Sequence, residues 1–568
     1  MRLSLLVIAI LSLCVFADTS FERIIADEAL TVDQTALYLV YSVVAPERLP
    51  LCYTINSDPA VSGSPALHEA MLLSSKVSSA ALNEILTLVS RPTLSGPEIT
   101  FNSPSGHFKF HYTTTGADAV TQAYAEEMAG YFDYSWQIEC DSLNYFTPPP
   151  DNGAGGDDLY DVYIKELTGE TLGYTSSGGE YKPPDSTHDC SASHIAMDID
   201  LGYNHLTTTS SHEFQHAIQN SYDYNEPTWF LENCAVWMED QVFPDINDWT
   251  SFWSHSAVRK PWMDIAAGAP NWYGNSIWPR YMQCRFETDA VREVWQFCAD
   301  TRGANMWDAQ TDMFDSYGVT FEDAFMEYGL WRYFTGPLYK PDFDLFDEDL
   351  GIPSSGPVVL PYHNHSTLPA SGNQGSHYPL NTRGIHWIKF KLENYQNGWL
   401  QFEFDGRDNF EWNLGVFLYN DDEYYFQWMD CDTITGLASL GVNTTGYDYA
   451  VFFPAFMSET SIYGNYTYSA SFDNTGIHEE ENLNGISLDV LNNPMTAGSA
   501  VNFTVNGNIY ADLSIMDISG RRVSTLFSGP AQAGLNTVEF NSQLPAGTYT
   551  MVLRADKYAT AQRVSILR

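Results

Sequence analysis

The chain has 568 residues, and its 72 acidic against 26 basic side chains leave a formal net charge of −46. A charge of that size and sign excludes nucleic acid and anionic membrane surfaces as partners, because both repel an acidic protein. The length predicts a multidomain protein with about three or four domains.

Residues 1–17 have the pattern of a signal peptide. Arg2 supplies the positive charge, Leu3–Leu13 the apolar stretch and Ala17 the small residue at the cleavage site. The apolar stretch is too short to span a bilayer, and no later one approaches about 18 residues. We therefore expect a protein without a transmembrane segment that is secreted or attached to the cell surface.

Residues 18–100 form an N-terminal segment in which we identify no catalytic motif. Thr35–Val44 is predicted to be a strand or a buried helix, and Ala66–Val89 an amphipathic helical pair. A loop marked by Pro and Gly follows and extends to Gly106. A helical segment joined by a loop to the next domain is typical of a propeptide, and an ordinary N-terminal subdomain is the alternative.

The next region mixes strands with a long helix. Its alternating pattern predicts strands at Phe108–Tyr112, Tyr160–Ile164 and His194–Ile199, and a helix at Ala119–Trp136. The run Asp151–Asp158 is rich in oxygen ligands and is a candidate site for Ca²⁺. Its spacing matches no EF-hand loop, so a plain turn is the alternative.

The motif His212-Glu213-Phe214-Gln215-His216 carries the strongest chemical signal. Two histidines four residues apart on a helix project from one face, about 6 Å apart, as two imidazole ligands of one zinc ion require. Glu213 then lies where it can take a proton from a water at the metal. Ser210 and Ser211, just before the motif, suit a capped helix start.

A second predicted helix supplies the third ligand. Pro227 suits its first turn, and Glu232 lies 16 residues after His216. A catalytic zinc takes three protein ligands, and His-His-Glu is one such set. Asp240 is the alternative third ligand. Glu239 shares a helical face with Glu232, where it is either a hydrogen-bond acceptor for a ligand histidine or a solvated surface residue.

If a water at the metal attacks a carbonyl group, the developing oxyanion needs a hydrogen-bond donor, and a Tyr or His beside the metal serves that purpose. Tyr273 precedes a predicted helix and is the first candidate, with His255 and Tyr222 as alternatives. Plain packing is a further interpretation of each. The later helices of this region are predicted at Trp229–Val242, Ser276–Asp300, Met306–Tyr317 and Thr320–Phe334.

These motifs resemble the gluzincin branch of zinc metallopeptidases, and more closely a family of secreted bacterial metalloproteases. The matching stretches are His212–Gln219 and Trp229–Asp240, in a resemblance that covers roughly residues 100–335. It implies an α+β zincin-like catalytic domain at 101–345, with Zn²⁺ in a cleft between two subdomains. It also implies an edge strand that binds extended substrate by backbone pairing, which we place at His194–Ile199.

Cys52 has two interpretations. Without Cys14, which belongs to the signal peptide, seven cysteines remain, so at least one has no intramolecular partner. Export permits disulfides, and Cys52 is predicted to form one with the catalytic domain. Alternatively its thiolate blocks the zinc and keeps the enzyme inactive.

The second half of the chain is predicted to be all-β. Residues 346–384 form a linker in which His363 and His365 are a weak candidate metal pair. Residues 385–475 form a β-sandwich, whose aromatic residues suit either packing or carbohydrate binding. Its strands are predicted at Ile385–Leu392, Trp399–Phe404, Trp412–Tyr419, Tyr447–Phe453 and Tyr463–Phe472.

Residues 476–485 form an acidic linker, and residues 486–568 form a C-terminal sandwich with 5 acidic and 6 basic residues. The D-x-x-G-R turn at Asp517–Arg521 and the approach Leu544–Tyr549 resemble the sorting domain of the type IX secretion system. The resemblance implies recognition by the outer-membrane secretion machinery. A generic Ig-like adhesion module is the alternative.

Together these features predict a secreted zinc endopeptidase that acts on proteins or peptides. His212, His216 and Glu232 hold the metal, Glu213 is the base and Tyr273 the oxyanion donor. Two other classes remain open: a non-catalytic surface or adhesion protein with a relic metal helix, and a zinc hydrolase of non-peptide bonds. The intact Glu213 argues against the first, because zinc retention alone would not need it.

Overall fold

A computed structural model describes most of the chain. The described residues are 19–54, 61–167, 171–184, 186–286, 289–303, 305–341, 343, 348–473, 486–490, 495–505, 507–517, 522–541, 544–545, 547–555 and 558–566. The predicted signal peptide, the acidic linker 476–485 and most of the turn Asp517–Arg521 lie outside them. The chain divides into two compact units, one of Met1–Arg259 with Ile265–Phe321 and one of Lys260–Asp264 with Glu322–Arg568.

The first unit is mixed α/β. Its helices are α1 (Ser20–Ile25), α2 (Val32–Val44), α3 (Ser64–Leu72), α4 (Ser79–Leu88), α5 (Gln122–Trp136), α6 (Tyr203–Tyr222), α7 (Thr228–Val242), α8 (Asn271–Gly274), α9 (Ile277–Phe286), α10 (Ala290–Asp300) and α11 (Met306–Ser316). Its strands are β1 (Val61–Ser62), β2 (Ile99–Asn102), β3 (Phe108–Tyr112), β4 (Tyr160–Ile164), β5 (Thr171–Ser176) and β6 (His194–Met197). The predicted strands Phe108–Tyr112 and Tyr160–Ile164 are confirmed at both ends.

The six strands form one sheet in the order β1-β5-β6-β4-β3-β2. Strands β3, β4 and β6 run parallel, β5 is antiparallel to β6, and β1 is parallel to β5. The placement of the edge strand at His194–Ile199 is therefore wrong, because β6 lies between β5 and β4. Beyond β6 lies β5, whose glycine and threonines lack a clear alternating pattern, and β1 already pairs with its outer side.

Both faces of the sheet are covered. On one face Phe108 packs against Phe132 of α5 and Phe214 of α6, with ring centroids 5.4 and 5.2 Å apart. On the other face, Tyr163 and Tyr174 belong to a hydrophobic cluster with helices α1–α4. Side chains alternate between the faces along a strand, so a sheet covered on both faces has strands that are buried throughout. The N-terminal segment therefore contributes to the core of this unit.

The second unit contains one long helix, α12 (Phe321–Trp331), and two packed sheets. Its strands are β7 (Asn364–His365), β8 (Ala370–Asn373), β9 (Gly384–Ile385), β10 (Ile388–Lys391), β11 (Trp399–Gly406), β12 (Trp412–Tyr419), β13 (Tyr424–Met429), β14 (Leu437–Asn443), β15 (Tyr449–Phe456) and β16 (Tyr466–Asp473). One sheet has the order β13-β12-β15-β10-β7, with β9 on β15, and the other has the order β14-β11-β16-β8. A shared cluster of buried apolar side chains lies between them.

Two predicted boundaries differ from this arrangement. The linker 346–384 is not a plain connection, because its strands β7 and β8 pair with β10 and β16 of the sandwich. Nearly all of α12, which was predicted to end the catalytic domain, belongs to the second unit. Helix α12 is apolar on several sides, and that pattern does not reveal which unit it packs against.

The C-terminal region adds two small sheets around their own core. Its strands are β17 (Ser487–Val490), β18 (Ala500–Val505), β19 (Ile509–Met516), β20 (Arg522–Ala531), β21 (Gly534–Glu539), β22 (Gly547–Ala555) and β23 (Tyr558–Ile566). Their orders are β17-β18-β21 and β20-β19-β22-β23. In the described part of the chain, no helix combines the length and the hydropathy that a membrane span requires.

Candidate metal centre

Helix α6 carries both histidines of the motif and begins earlier than predicted. It starts at Tyr203, so Ser210 and Ser211 lie inside it rather than at its cap. Their hydroxyls donate back to the carbonyls of Leu206 and Thr208, at 2.6 and 2.9 Å. Inside a helix, Ser and Thr hydroxyls can bond to carbonyls of the preceding turn, so these residues fit a helix interior as well as a helix start.

Helices α6 and α7 bring His212, His216 and Glu232 together. Nε2 of His216 lies 3.1 Å from Oε1 of Glu232, and Nε2 of His212 lies 3.4 Å from Oε2. One candidate ligand atom from each residue lies within 4.8 Å of the other two. Among the described residues, no other set of three His, Cys, Asp or Glu side chains is this close.

The outer nitrogen of each histidine is held by a hydrogen bond. Nδ1 of His212 donates to Oε1 of Glu239 at 2.6 Å, and Nδ1 of His216 donates to Oε1 of Gln219 at 2.8 Å. Gln219 is fixed in turn, since its Nε2 donates to the carbonyl of Leu231. With the proton on Nδ1, the Nε2 lone pair of each ring points into the cluster. The predicted hydrogen bond of Glu239 is confirmed, and its interpretation as a surface residue is wrong because it is buried.

The charges of the cluster reinforce one another. Burial alone would raise the pKa of Glu232, but His216 and His212 outweigh it and lower that pKa to about 2. Burial would lower the pKa of His212, but the carboxylates of Glu232 and Glu239 raise it well above its usual value. Burial raises the pKa of Glu239 to about 7. Two carboxyl groups thus flank His212 in a place that water scarcely reaches.

Glu213 lies beside the cluster and is completely buried. Its Oε1 accepts a hydrogen bond from the hydroxyl of Ser62 at 2.6 Å. Its Oε2 accepts from the hydroxyls of Ser64 and Thr175, at 2.7 and 2.8 Å. Gly173 permits this close approach of β5 to α6, because a Cβ there would lie only 3.1 Å from Cγ of Glu213. Both oxygens of the candidate base are therefore occupied.

The candidate oxyanion donor Tyr273 and the alternative third ligand Asp240 have different surroundings in the structure. Tyr273 lies on α8, is buried, and stacks on Phe252 with ring centroids 4.8 Å apart. Burial, reinforced by the nearby carboxylates of Glu232 and Glu213, raises its pKa well above the usual value, so the phenol keeps its proton. Asp240 is not in the cluster, because its Oδ2 pairs with Nη2 of Arg280 at 2.5 Å.

The alternative oxyanion donors lie in other surroundings. The hydroxyl of Tyr222 accepts a hydrogen bond from the backbone N–H of Phe146 at 2.9 Å. His255 lies in the connection between α7 and α8, and its Nδ1 lies 3.1 Å from the hydroxyl of Ser254.

Cys52 meets neither expectation. It lies in an exposed turn as a thiol outside any disulfide, and it does not belong to the His-His-Glu cluster. Its carbonyl accepts a hydrogen bond from Arg23 at 3.4 Å. Neither the predicted disulfide nor the zinc-blocking thiolate is present in this structure.

The candidate calcium run is engaged by cations of the protein. Asp151 pairs with Nη2 of Arg91 at 2.6 Å, and Asp157 pairs with Nζ of Lys109 at 3.1 Å. In the second unit, Nε2 of His363 donates to the carbonyl of Asn373 at 2.9 Å. Nε2 of His365 lies 2.7 Å from the hydroxyl of Tyr468. The loop histidines thus have structural partners rather than a shared metal position.

Sequence reasoning missed four residues that contact the site: Ser62, Ser64, Thr175 and Gln219. The contact of Gln219 could have been predicted from the sequence, since Gln219 lies three residues after His216 on the same helix. The three hydroxyl residues could not be predicted, because they reach Glu213 from segments distant in sequence, and serines and threonines are common.

Comparisons with known proteins add little. No family model matches the chain, and no curated protein matches it. Among solved structures, the BSP domain of a biofilm-associated protein is 11% identical, with 36% of this chain and 53% of that chain covered, at a TM-score of 0.12. Bacteroides uniformis β-glucuronidase 3 is 13% identical, with 34% and 28% covered, at a TM-score of 0.12. The glycoside hydrolase domain of Endo-D from Streptococcus pneumoniae R6 is 12% identical, with 45% and 52% covered, at a TM-score of 0.12.

The chain thus spans about half or less of the length of these three structures. TM-scores this low inform neither the fold nor the function of this chain.

Proposed function

We propose that this protein is a zinc-dependent endopeptidase, with His212, His216 and Glu232 as metal ligands and Glu213 as general base. The observation that carries the proposal is the convergence of three buried ligand atoms on one point. His212 Nε2, His216 Nε2 and Glu232 Oε2 are all buried, and apart from their close approach to one another none has a hydrogen-bond partner among the described residues. Such atoms are costly to bury unless something binds them.

The donor set is compatible with zinc. Two imidazole nitrogens and one carboxylate are a known ligand set of catalytic zinc, which leaves a further position open. The hydrogen bonds to Glu239 and Gln219 orient both rings, as supporting residues do at metal sites. A zinc ion held here supplies the Lewis acidity that water activation at neutral pH requires.

The protein residues then divide the proton chemistry. Glu213 takes the proton of the attacking water and passes it to the leaving amine. Tyr273 keeps its proton and is our candidate donor to the developing oxyanion. Thr175 holds Oε2 of Glu213 from the strand β5, so the base is fixed relative to that strand. Glu213 cannot serve while the hydroxyls of Ser62 and Ser64 also occupy it.

The arrangement of elements supports a zincin-like domain as part of this proposal. In such a domain an edge strand next to the metal helix binds extended substrate by backbone pairing. Strand β5 is antiparallel to β6, and its Thr175 bonds to both the side chain and the carbonyl of Glu213. We therefore assign substrate binding to β5 in place of β6.

Export is the second component of the proposal. The region 486–568 forms two small sheets with their own core and has almost no net charge, unlike the rest of the chain. This independence supports a sorting role of the type IX kind. Deletion of Ile486–Arg568 should leave the protein in the periplasm of its native host with its intrinsic activity unchanged. Normal export of the shortened chain would contradict the assignment.

The proposed activity is tested by metal analysis and by digestion of a broad peptide library, with and without a chelator. Both the parent chain and the S62A/S64A variant are used, since the latter frees Glu213 of two contacts. We expect about one zinc per chain, hydrolysis that stops on chelation, and recovery on zinc addition. Hydrolysis that survives complete metal removal contradicts the mechanism. Stoichiometric zinc without peptide hydrolysis in either chain points to a relic domain or a non-peptide substrate.

A further inference from the structure

The N-terminal segment lies directly on the proposed substrate strand. Strand β1 pairs with the outer side of β5, with Val61 opposite Thr171 and Ser62 opposite Gly173. The backbone N–H of Gly63 continues this pairing and donates to the carbonyl of Gly173 at 2.8 Å. The backbone groups that residues 171–173 of β5 would offer to an extended peptide are therefore already used by the chain itself.

The same segment also occupies the candidate base. Ser62 and Ser64 come from β1 and the first turn of α3, and each donates its hydroxyl to one oxygen of Glu213. A carboxylate in this state accepts from the protein where it would otherwise accept from a water. The groups in contact are hydroxyls, which offer no electrophilic carbon, so the segment is held at Glu213 without being a substrate there.

Helix α3 closes the space next to the metal ligands. The cavity beside His216 and Glu232 has a volume of about 20 Å³, which is room for about one water. Its walls are shared between α3 and the body of the unit, and α3 contributes Ser64, Leu67, His68 and Met71. A peptide does not fit into this space unless α3 moves.

Two further contacts hold α3 against α7 and the turn before it. Nε2 of His68 donates to the carbonyl of Glu226 at 2.8 Å. The hydroxyl of Thr228 donates to Oε1 of Glu69 at 2.6 Å. Glu226 and Thr228 lie immediately before and within the helix that carries Glu232, so α3 is docked on the ligand-bearing helix.

A separate anchor secures the end of the N-terminal segment. Arg91 follows α4 and pairs with Asp151, Asp161 and Glu180 of the following domain. These contacts do not involve Glu213 or the metal ligands. The segment can therefore stay attached to the unit through Arg91 while β1 and α3 leave the cleft.

We propose that residues 61–72 are an intramolecular inhibitor that occupies the place of an extended polypeptide substrate on β5. Peptide hydrolysis requires their displacement, which frees the backbone edge of β5, both oxygens of Glu213 and the space beside His216. This inference rests on the proposed peptidase function, and it identifies the substrate as a polypeptide in extended conformation.

The test compares the full-length parent chain with the S62A/S64A variant, in zinc-loaded and cobalt-substituted forms. The S78A variant is the matched control. Ser78 lies in the same N-terminal segment, but its hydroxyl bonds only within that segment, to Asp33 at 2.6 Å. Two readouts are measured: hydrolysis of quenched-fluorescent peptides, and the visible spectral change of the cobalt protein when acetohydroxamic acid is added.

We expect S62A/S64A to raise both peptide hydrolysis and the apparent affinity for acetohydroxamic acid by about tenfold or more, since hydrogen bonds to a charged group are among the stronger ones. S78A should change neither. Equal or lower values for S62A/S64A in both readouts would overturn the inhibitor and leave the segment a structural support of Glu213. Raised hydroxamate affinity without hydrolysis in any variant would support the blocked cleft and refute the peptidase.

A second variant keeps the test decisive if S62A/S64A does not fold. Ser75 and Lys76 are exposed between α3 and α4, so a recognition sequence for a specific protease is inserted between them. Cutting places residues 61–72 on a separate polypeptide, which lowers their effective concentration at the cleft. Activity per molecule should then rise on dilution of the cut protein and fall on concentration. Activity that is the same before and after cutting, at every concentration, would overturn the inhibitor.

Discussion

Each unit of the chain carries a closely spaced pair of histidines, and the two pairs have opposite surroundings. In the first unit, His212 and His216 aim their Nε2 atoms at Glu232, and Glu239 lies behind His212. In the second unit, His363 and His365 bond to a backbone carbonyl and a tyrosine hydroxyl. Burial disfavours the charged form of a histidine, and neighbouring carboxylates oppose that effect, so His212 and His363 differ in the direction of their pKa shift.

The pKa directions express the same difference. The carboxylates beside His212 raise its pKa in spite of burial. Burial lowers the pKa of His363 to about 4, with only a carbonyl acceptor to oppose it. A buried neutral histidine contributes to packing, whereas a histidine held between carboxylates forms part of a cation site. The spacing of two histidines in the sequence does not distinguish these two kinds of surroundings, whereas the presence of carboxylates beside them does.

The largest effect is expected when the candidate base of the first unit is replaced. Glu213→Gln should keep the metal and lower kcat by about 10²–10⁴-fold, because an amide cannot accept the proton. Glu139→Gln is the matched control. Burial raises the pKa of Glu139 well above its usual value, which favours the neutral form of this buried side chain. Zinc content and peptide hydrolysis are measured for both in the S62A/S64A background. Equal loss of activity in the two variants would remove Glu213 from the mechanism.

The next largest effect is expected when the carboxylate that distinguishes the two histidine pairs is replaced. Glu232→Ala should weaken zinc affinity by about 10²–10³-fold, the share of one ligand in a tight site. Asp240→Asn is the comparison, since Asp240 lies on the same helix but pairs with Arg280. It should lower stability and leave zinc affinity unchanged, because breaking a buried ion pair costs stability. Competition against a fluorescent chelator gives both affinities, and unchanged affinity in Glu232→Ala would move the third ligand elsewhere.

The convergence of His212, His216 and Glu232 could be predicted from the sequence because its signal is local. The spacing of His212 and His216 fixes one helical face, and Glu232 and Glu239 share a face seven residues apart. The strands β3, β4 and β12 were predicted at both ends, since short apolar and aromatic runs bounded by turn residues are enough to define a strand. These features need no information about distant parts of the chain.

The contacts of Glu213 could not be predicted, because they are long-range. Ser62 reaches Glu213 across 151 positions, and the pairing of β1 with β5 joins segments without a clear hydrophobic pattern. The placement of substrate binding at β6 failed for the same reason. A strand rich in Gly, Thr and Ser is determined by its neighbours rather than by its own residues. The contacts of β1 and α3 with Glu213 can be recognised only once the N-terminal segment and β5 are placed together in the fold.

The lowered pKa of His363 predicts that the stability of the second unit depends on pH. A lowered pKa means that His363 gains its proton more readily in the unfolded chain, so the stability that it contributes is lost as the pH falls from 6.5 towards 4. The difference between the ordinary pKa of 6.5 and the folded-state pKa of about 4 corresponds to about 3 kcal/mol in the free energy of unfolding. About 2 kcal/mol of this is lost by pH 5.

The measurement is hydrogen exchange of β7 and β10 at pH 7 and pH 5, corrected for the intrinsic exchange rates. His363→Gln is the matched variant, because its amide can still donate to the carbonyl of Asn373 but does not titrate. Its protection in these strands should fall less than that of the parent. An equal fall in both chains would assign the acid sensitivity to other groups.

The smallest effect tests what the carboxylate behind His212 contributes. Glu239 accepts the Nδ1–H of His212 at 2.6 Å, so it fixes both the tautomer and the ring orientation. Glu239→Gln keeps an acceptor and loses the charge, whereas Glu239→Leu loses both. We expect zinc affinity to fall by about tenfold in the first and by up to about 100-fold in the second, with Glu213 and its contacts unchanged. If Glu239→Leu binds zinc as tightly as the parent, His212 is held by the packing of its helix alone.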